Sequence, residues 1–175
     1  MASFLLIRHG LNDWVGKKLA GRTPGVRLNK AGWAQAEALA ARLKGKPIKA
    51  IYASPLERTL ETAAPLAAAC GLETIPAESL IEADFGDWMG KSLRMLRKDP
   101  RWQDVRYHPS SFRFPQGESF AETQARMVAL LEELRKAWGD EDVVACFSHG
   151  DNIRLTLAHY LEMPLDSFQR LVIDP

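Results

Sequence analysis

Basic side chains and histidines follow three of the apolar runs in this sequence. Arg8 and His9 come directly after the run FLLI, and His149 comes directly after VVACFS. Arg58 lies one helical turn beyond a third run, AIYAS. The planar fork of arginine matches phosphate oxygens bidentately, so these four side chains around one point would form an anion pocket. The residue types therefore point to recognition of a phosphate group.

A histidine inside a phosphate pocket could also react with the phosphate. Neutral imidazole is a nucleophile near pH 7, and its attack on phosphorus would give a phosphohistidine. The departing alcohol then needs a proton from a nearby acid. Glu82, in the segment LIEADFGDWMG, is the preferred candidate for this acid, and Asp84 is the alternative. A carboxyl group that faces a phosphate pocket should have a raised pKa, which suits a proton donor.

These groups can meet only if the fold brings the ends of the apolar runs together. Strand-like runs occur at 4–7, 48–53, 72–76 and 143–147, and stretches with helical spacing separate them. Apolar strands that alternate with helices predict an α/β fold, with a largely parallel sheet covered on both faces. Ligands of such sheets bind outside the carboxyl ends of the strands. The predicted site lies at that edge.

Local patterns predict where three helices begin. Asn29 is a suitable N-cap for the first helix. The segment Ser54-Pro55-Leu56-Glu57 matches a capping box with proline at the first helical position, which predicts a second helix start. Ser119-Phe120-Ala121-Glu122 is another capping box, and it predicts a long amphipathic helix that ends at Gly139.

The length of 175 residues predicts a single domain spanning 1–175. The segment 85–117 is rich in glycine, proline, arginine and tryptophan, which predicts a partly irregular, lid-like insertion over one end of the sheet. A last helix is expected after Gly150, and FQRLVI at 168–173 predicts a final strand.

Composition excludes several other classes of function. The net charge of +1 gives no general attraction to nucleic acid or anionic membranes, so neither is an expected partner. Cys70 and Cys146 lie far apart without a CxxC neighbour, and no leader or membrane-spanning run is present, which predicts a reduced, cytoplasmic chain. Motifs of metal-site spacing are absent, so we expect neither metal nor cofactor. The sequence carries no signal for oligomeric state.

Six segments resemble, in the right order, the motifs of the histidine phosphatase superfamily, which includes phosphoglycerate mutase and the cofactor-independent acid phosphatases. The segments are LIRHG (6–10), GRTPGVRLNKAGWAQA (21–36), IYASPLERTLETA (51–63), EADFGDWMG (82–90), FPQGESFAETQAR (114–126) and VACFSHGDNIR (144–154). One Arg-His-Gly motif would be a weak signal, but six ordered motifs are a strong one. The resemblance covers most of the chain and implies a three-layer α/β/α domain around a mostly parallel sheet.

The resemblance also implies roles for residues by position. His9 would be the phosphorylated nucleophile, and Glu82 would donate a proton and later activate the hydrolytic water. Asn12 would partly replace the family's phosphate-binding asparagine, at whose position this chain has Val15. Arg22 would contact the remote end of the substrate or close a loop. The phosphate ligands would be Arg8, Arg58 and His149, the last of which also belongs to the catalytic set.

Each of these roles has a structural alternative. His9 could simply end a strand, and His149 could belong to a turn. Arg8 and Arg58 could be surface arginines, and Glu82 could be a solvated loop carboxylate. The motifs favour the functional roles, and an unpaired charge beside an apolar segment is costly.

The predicted reaction is hydrolysis of a small phosphorylated metabolite by a metal-independent phosphomonoesterase. Phosphatases and mutases share the first half-reaction and differ in whether water or a second hydroxyl accepts the phosphoryl group. Related mutases carry a long basic insertion and an extended tail, and this sequence predicts neither. The alternatives are a phosphoglycerate mutase-type phosphomutase and a non-catalytic module that binds a phosphorylated ligand. Binding alone would need the arginines but not His9 and Glu82, which disfavours the module.

Overall fold

Four parallel strands form the sheet at the centre of the molecule. The computed structural model describes residues 2–175, and its strands lie in the order β1-β4-β2-β3. Every neighbouring pair is parallel, which confirms the predicted fold class. The strands are β1 (Ser3–Arg8), β2 (Ile48–Ala53), β3 (Thr74–Pro76) and β4 (Val143–Ser148).

Helices cover both faces of the sheet. Residues of α1 (Lys30–Leu43) and α2 (Glu57–Cys70) pack on one face against β2 and β4. Residues of α5 (Phe120–Ala137) pack on the opposite face, where α5 also contacts α6 (Gly150–Tyr160). The layers are therefore α/β/α. No helix among residues 2–175 combines the length and the apolar character needed to cross a membrane.

The path of the chain creates a crevice at one edge of the sheet. From β1 to β3 the chain moves across the sheet in one direction, and it then returns to insert β4 between β1 and β2. Parallel crossovers are right-handed, so this reversal moves the connecting helix to the other face. The segments after β1 and β2 therefore turn towards one face and the segment after β4 towards the other. Ligands bind where such segments diverge.

The strand register brings the predicted site residues to the same level. Arg8 is paired with Ser148, and Ala53 is paired with Phe147. The residues that follow these strands, among them His9 and His149, therefore leave the sheet side by side. The predicted site residues that follow the strands therefore lie at the carboxyl edge of the sheet, as the apolar runs indicated.

The predicted helix starts at Asn29 and Ser119 are confirmed. Asn29 Oδ1 accepts a hydrogen bond from Gly32 N at 3.0 Å. Ser119 and Glu122 form the reciprocal capping box. The prediction at Ser54 is wrong, because α2 begins at Glu57 and has no side-chain cap.

The predicted last strand at 168–173 is also wrong. Leu165–Arg170 forms a short 3₁₀-helix, and the chain after it has no regular structure. The physical reason is Phe168, which is fully buried against the ring of Phe120 and so pulls the segment away from the sheet. The other 3₁₀ segments are Glu78–Leu80 and Gly86–Trp88.

The segment 85–117 contains two short helices, α3 (Leu93–Leu96) and α4 (Trp102–Tyr107). It packs around an aromatic cluster whose rings meet at centroid separations of about 5 to 6 Å, a spacing at which edge-to-face contacts are favourable. This cluster joins the segment to α5 and α6. Its main members are Phe85, Trp88, Phe112, Phe114, Phe120 and Phe168.

Two glycines let the turn after β1 lie directly on the start of α1. A Cβ atom at Gly32 would lie 2.1 Å from Leu11 O, and one at Gly10 would lie 2.8 Å from Gly32 O. These distances are far below van der Waals contact, so neither position can carry a side chain without movement of the backbone. The turn that follows His9 is fixed by this contact.

We expect Gly32→Ala to destabilise the fold, although alanine favours a helix by about 1 kcal/mol over glycine. The clash with Leu11 should outweigh this gain and give a net loss of about 1–3 kcal/mol. Urea unfolding would measure the loss. Gly139→Ala is the control, since its Cβ would meet only the side chain of Asp142, at 3.3 Å, and no backbone atom. Equal stability of the two variants would contradict the close-contact argument.

Candidate active site

A cavity of about 150 Å³ opens at the carboxyl ends of β1, β2 and β4. Sites for drug-sized molecules commonly occupy about 300–1,000 Å³, so this cavity suits a smaller ligand. The predicted site residues that line it are Arg8, His9, Asn12, Arg58 and Glu82.

His9 presents one ring nitrogen with a free electron pair. Its Nδ1 lies 2.8 Å from Gly10 O, and because a carbonyl only accepts, Nδ1 must carry the hydrogen. The lone pair is then on Nε2. Burial, followed by the charge of Arg58, lowers the pKa of His9 to about 3. The imidazole is therefore neutral at physiological pH and has the electronic state of a nucleophile.

Two arginines bring positive charge to the cavity. Arg58 is 1% exposed, and its Nη2 donates to Gly21 O at 2.7 Å. Arg8 Nη1 donates to Ile173 O at 2.6 Å. Within residues 2–175, the buried Nε and Nη1 of Arg58 and the buried Nε of Arg8 have no hydrogen-bond acceptor. Burial lowers the pKa of both side chains. A bound oxyanion would supply acceptors to these N–H groups.

His149 is fully buried and lies behind the lining residues rather than among them. Its Nδ1 is 3.2 Å from Arg58 Nη2, which can only donate, so Nδ1 accepts and Nε2 carries the hydrogen. Nε2 lies 2.9 Å from Ser54 Oγ. Burial and the charge of Arg58 hold the pKa of His149 well below its usual value. Ser54 lies two residues before Leu56, the N-cap of α2, and its Oγ also accepts from Leu56 N at 3.4 Å.

The carboxyl group of Glu82 lies near the ring of His149. Its Oε2 is 3.8 Å from His149 Nδ1, and its Oε1 accepts from Ala83 N at 3.0 Å. Burial, followed by the negative charge of Asp151, raises the pKa of Glu82 to about 7. Much of this carboxyl is therefore protonated near neutral pH and can donate a proton.

Hydrogen bonds from three side chains fix the backbone that carries Glu82. Ser148 Oγ donates to Leu80 O at 2.7 Å, and Asn152 Nδ2 donates to Ile81 O at 2.7 Å. Arg22 Nε donates to Glu82 O at 2.9 Å. The strand β4 and the helix α6 thus position both His149 and the loop opposite it.

Arg22 does not line the cavity, although the resemblance made it a candidate for substrate contact. Its Nη2 lies 2.9 Å from Glu118 Oε1, and with its bond to the Glu82 carbonyl it closes the loop. Asp84, the alternative acid, also lies outside the cavity, where its Oδ1 accepts from Gly86 N at 2.9 Å. The geometry therefore favours Glu82 over Asp84.

Asn12 lies in the cavity wall and is 4% exposed. Its Oδ1 accepts from Trp14 N at 2.9 Å and from Val15 N at 3.2 Å. The oxygen is therefore committed to the turn, and only the Nδ2 amide could donate to an anion. Val15 also lines the cavity and adds no hydrogen-bonding side chain.

Sequence reasoning missed three charged residues that line the cavity: Lys18, Asp151 and Arg154. Arg154 Nη1 lies 3.1 Å from Asp151 Oδ1, on the first two turns of α6. The sequence did contain a signal for Asp151 and Arg154: they are three residues apart in the helix after His149, and this spacing places them on one face of a helix. Lys18 Nζ lies 4.6 Å from the centre of the Trp14 ring, and nothing in the local sequence marked it.

Comparisons with known proteins agree with the geometry. The sequence model of the Histidine phosphatase superfamily (branch 1) matches residues 4–175. Phosphoserine phosphatase 1 of Hydrogenobacter thermophilus is 34% identical over 176 residues, covering 96% of this chain and 80% of that protein. The probable phosphoglycerate mutase GpmB of Yersinia enterocolitica is 30% identical over 175 residues, covering 98% and 80%. The structure of Entamoeba histolytica phosphoserine phosphatase with 3-phosphoglyceric acid has a TM-score of 0.88 at 30% identity, covering 99% of this chain and 86% of that chain.

We expect inorganic phosphate to raise the thermal unfolding midpoint, because it gives acceptors to buried arginine N–H groups. At about 100 times its dissociation constant the shift should be roughly 5–10 °C. Arg58→Met should abolish the shift in differential scanning calorimetry. Arg27→Met is the control, since Arg27 is largely exposed and lies outside the cavity. A full shift in the Arg58 variant would show that phosphate binds elsewhere.

Proposed function

Because the chain belongs to the histidine phosphatase superfamily, as its six motifs predicted, we propose that it hydrolyses small phosphate monoesters through a phosphohistidine on His9, without a metal. The observation that carries the proposal is the neutral His9 ring, which lines the same cavity as the buried Arg58 and the partly buried Arg8 and has a free electron pair on Nε2. A binding module would need the arginines alone. The relatives named as phosphatases support the enzyme class, a phosphoric monoester hydrolase.

The first half-reaction transfers the phosphoryl group to the enzyme. Arg8 and Arg58 bind the phosphoryl oxygens, and His9 Nε2 attacks phosphorus as the bond to the ester oxygen breaks. Glu82 gives its proton to the departing oxygen and becomes a carboxylate. The phosphorylated ring is cationic because Nδ1 keeps its hydrogen, and the hydrogen bond to Gly10 O stabilises that charge.

The second half-reaction returns the enzyme to its starting state. The Glu82 carboxylate takes a proton from water as the water oxygen attacks phosphorus. The bond between phosphorus and His9 Nε2 breaks, and the electron pair returns to the ring. Inorganic phosphate leaves, Glu82 is protonated again and His9 is neutral. His149 acts by holding Arg58 in place.

The size and charge of the cavity support a small phosphorylated metabolite as the substrate. The volume of about 150 Å³ is below the range that is common for drug-sized ligands. Phe85 brings the segment 85–117 to the cavity wall, and we propose that this segment covers the end that receives the alcohol. The named relatives act on phosphoserine or are probable phosphoglycerate mutases, which supports small phosphorylated acids as the first compounds to test.

We expect the protein to hydrolyse 4-nitrophenyl phosphate after exhaustive EDTA treatment. His9→Ala should reduce the rate to that of the reaction without enzyme, because the nucleophile is missing. His159→Ala is the matched control, since His159 lies near the end of α6, away from the cavity. Acid-labile, alkali-stable phosphate on the wild type after a rapid quench would identify the intermediate.

Other outcomes of this experiment are equally informative. Activity that survives in His9→Ala would contradict the mechanism. Exchange of phosphate between 2- and 3-phosphoglycerate without release would establish the mutase alternative. A folded, phosphorylated wild type with neither activity would contradict both reactions.

We expect Glu82 to give an alkaline limb to the pH profile of alkyl phosphate hydrolysis. Its raised pKa of about 7 means that the proton is present below this pH and lost above it, so kcat/KM should fall as the pH rises through 7. The limb should be absent with 4-nitrophenyl phosphate, whose leaving group departs without protonation. Stopped assays between pH 5 and pH 9 on both substrates would separate this limb from the ionisation of the substrate.

A substitution tests the same assignment. Glu82→Gln should lower kcat/KM for an alkyl phosphate by about 10²–10⁴-fold, the usual contribution of a general acid. Asp84→Asn, a carboxyl in the same loop but outside the cavity, is the control. If the larger loss occurs in the Asp84 variant, the two carboxyl groups have the opposite roles.

A further inference from the structure

One residue of the cavity, Asp151, is acidic, although a site that binds phosphate is expected to be positively charged. Asp151 lines the cavity with Arg8 and Arg58, directly after Gly150. A Cβ atom at Gly150 would lie 3.2 Å from Arg8 Nε, so the start of α6 packs on the phosphate-binding arginine. A carboxylate at this place repels an anion bound beside it. The charge of Asp151 helps to raise the pKa of Glu82, but phosphate binding does not account for it.

The neighbouring arginine forms a pair of opposite charges with this carboxylate. Arg154 Nη1 lies 3.1 Å from Asp151 Oδ1, and both side chains are partly exposed, at 26% and 29%. Burial raises the pKa of Asp151, while Arg154 and Arg8 oppose the shift. Both members of the pair line the cavity. Leu19 and Phe85 line the cavity with this pair, and so does the basic side chain of Lys18.

We propose that Asp151 and Arg154 select substrates in which an ammonium and a carboxylate group lie next to each other, as in an O-phosphorylated α-amino acid. Asp151 would accept hydrogen bonds from the ammonium group, and Arg154 would donate to the carboxylate. This inference rests on the proposed function and names its substrate class. In this proposal, the leaving group of the substrate is bound by residues that do not bind the phosphate.

The complementarity follows from the arrangement of charges. An α-amino acid carries its two charges on one carbon atom, and the protein places the opposite pair within 3.1 Å of each other. In an O-phosphorylated serine only the ester oxygen and one carbon separate phosphorus from that α-carbon. The distance from the phosphate to both charges is therefore short, as a cavity of about 150 Å³ requires.

Simple removal of either charged group from the ligand provides the test. O-phosphoserine carries both groups, O-phosphoethanolamine lacks the carboxylate, and 3-phosphooxypropanoate lacks the ammonium. Isothermal titration of the folded His9→Ala variant measures their dissociation constants without any turnover. O-phosphoserine should bind about 10–100-fold more tightly than either analogue, since each lost partner leaves a charged hydrogen bond unmade.

Substitutions should then remove one preference at a time. In the same background, Asp151→Asn should weaken O-phosphoserine to the affinity of 3-phosphooxypropanoate, and Arg154→Gln should weaken it to that of O-phosphoethanolamine. Ratios between ligands cancel any general effect on phosphate binding. Glu132→Gln is the matched control, because Glu132 and Arg135 form an i,i+3 ion pair of 2.8 Å on α5, outside the cavity.

The outcomes separate this inference from the proposed function. Equal affinity for the three ligands, binding of none of them, or unchanged ratios in the Asp151 variant would overturn the inference. In each case hydrolysis by the wild type would still uphold the phosphatase. Selective binding of O-phosphoserine with a wild type that hydrolyses nothing would uphold the subsite and overturn the reaction.

Discussion

Arg58 carries a full positive charge with almost no contact with water, and the arrangement of the cavity depends on how that charge is held. Its guanidinium donates to Gly21 O and to His149 Nδ1, which can accept only because His149 is neutral. The same charge helps to keep His9 neutral by lowering its pKa. A buried cation that lacks some of its partners is unfavourable in the free protein. That cost is tolerable because the same N–H groups can bind an oxyanion strongly.

The two carboxyl groups near this arginine have different surroundings. Glu82 has no ion-pair partner as close as that of Asp151, and its pKa is raised by burial and by the charge of Asp151. Burial also raises the pKa of Asp151, but the charge of Arg154, 3.1 Å away, opposes that rise. Glu82 thus has a negative neighbour in Asp151, and Asp151 has a positive neighbour in Arg154.

The parallel sheet and the residues at its carboxyl edge were predictable because their signals are local. Apolar runs followed by Arg8, His9 and His149 specify both the strands and the side chains at their ends. Asn29 and Ser119 cap helices through bonds to residues three positions away, so their roles are visible in short segments.

The failures of prediction arise where a partner distant in sequence decides the structure. Ser54 has a capping pattern, but α2 begins only at Glu57, and the Ser54 hydroxyl lies against the distant His149. FQRLVI has the pattern of a strand, but Phe168 is buried against Phe120. For Arg22 the sequence left two roles open, substrate contact or loop closure, and the tertiary contact with Glu118 places it in the loop outside the cavity. Local pattern cannot report such contacts, because they form only when distant segments pack.

In the proposed reaction, different parts of the fold would bind the phosphate and the alcohol. The phosphate end is fixed by backbone contacts, since His9 N donates to Ser148 O and the following turn lies on α1. Side chains on α6 line part of the mouth, and the buried Asn152 fixes this helix. Asp151 and Arg154 lie partly exposed on either side of Asn152, and under our proposal their replacement would change which substrate is bound without moving the nucleophile. A fold built in this way can keep one reaction and change its substrate through a few residues.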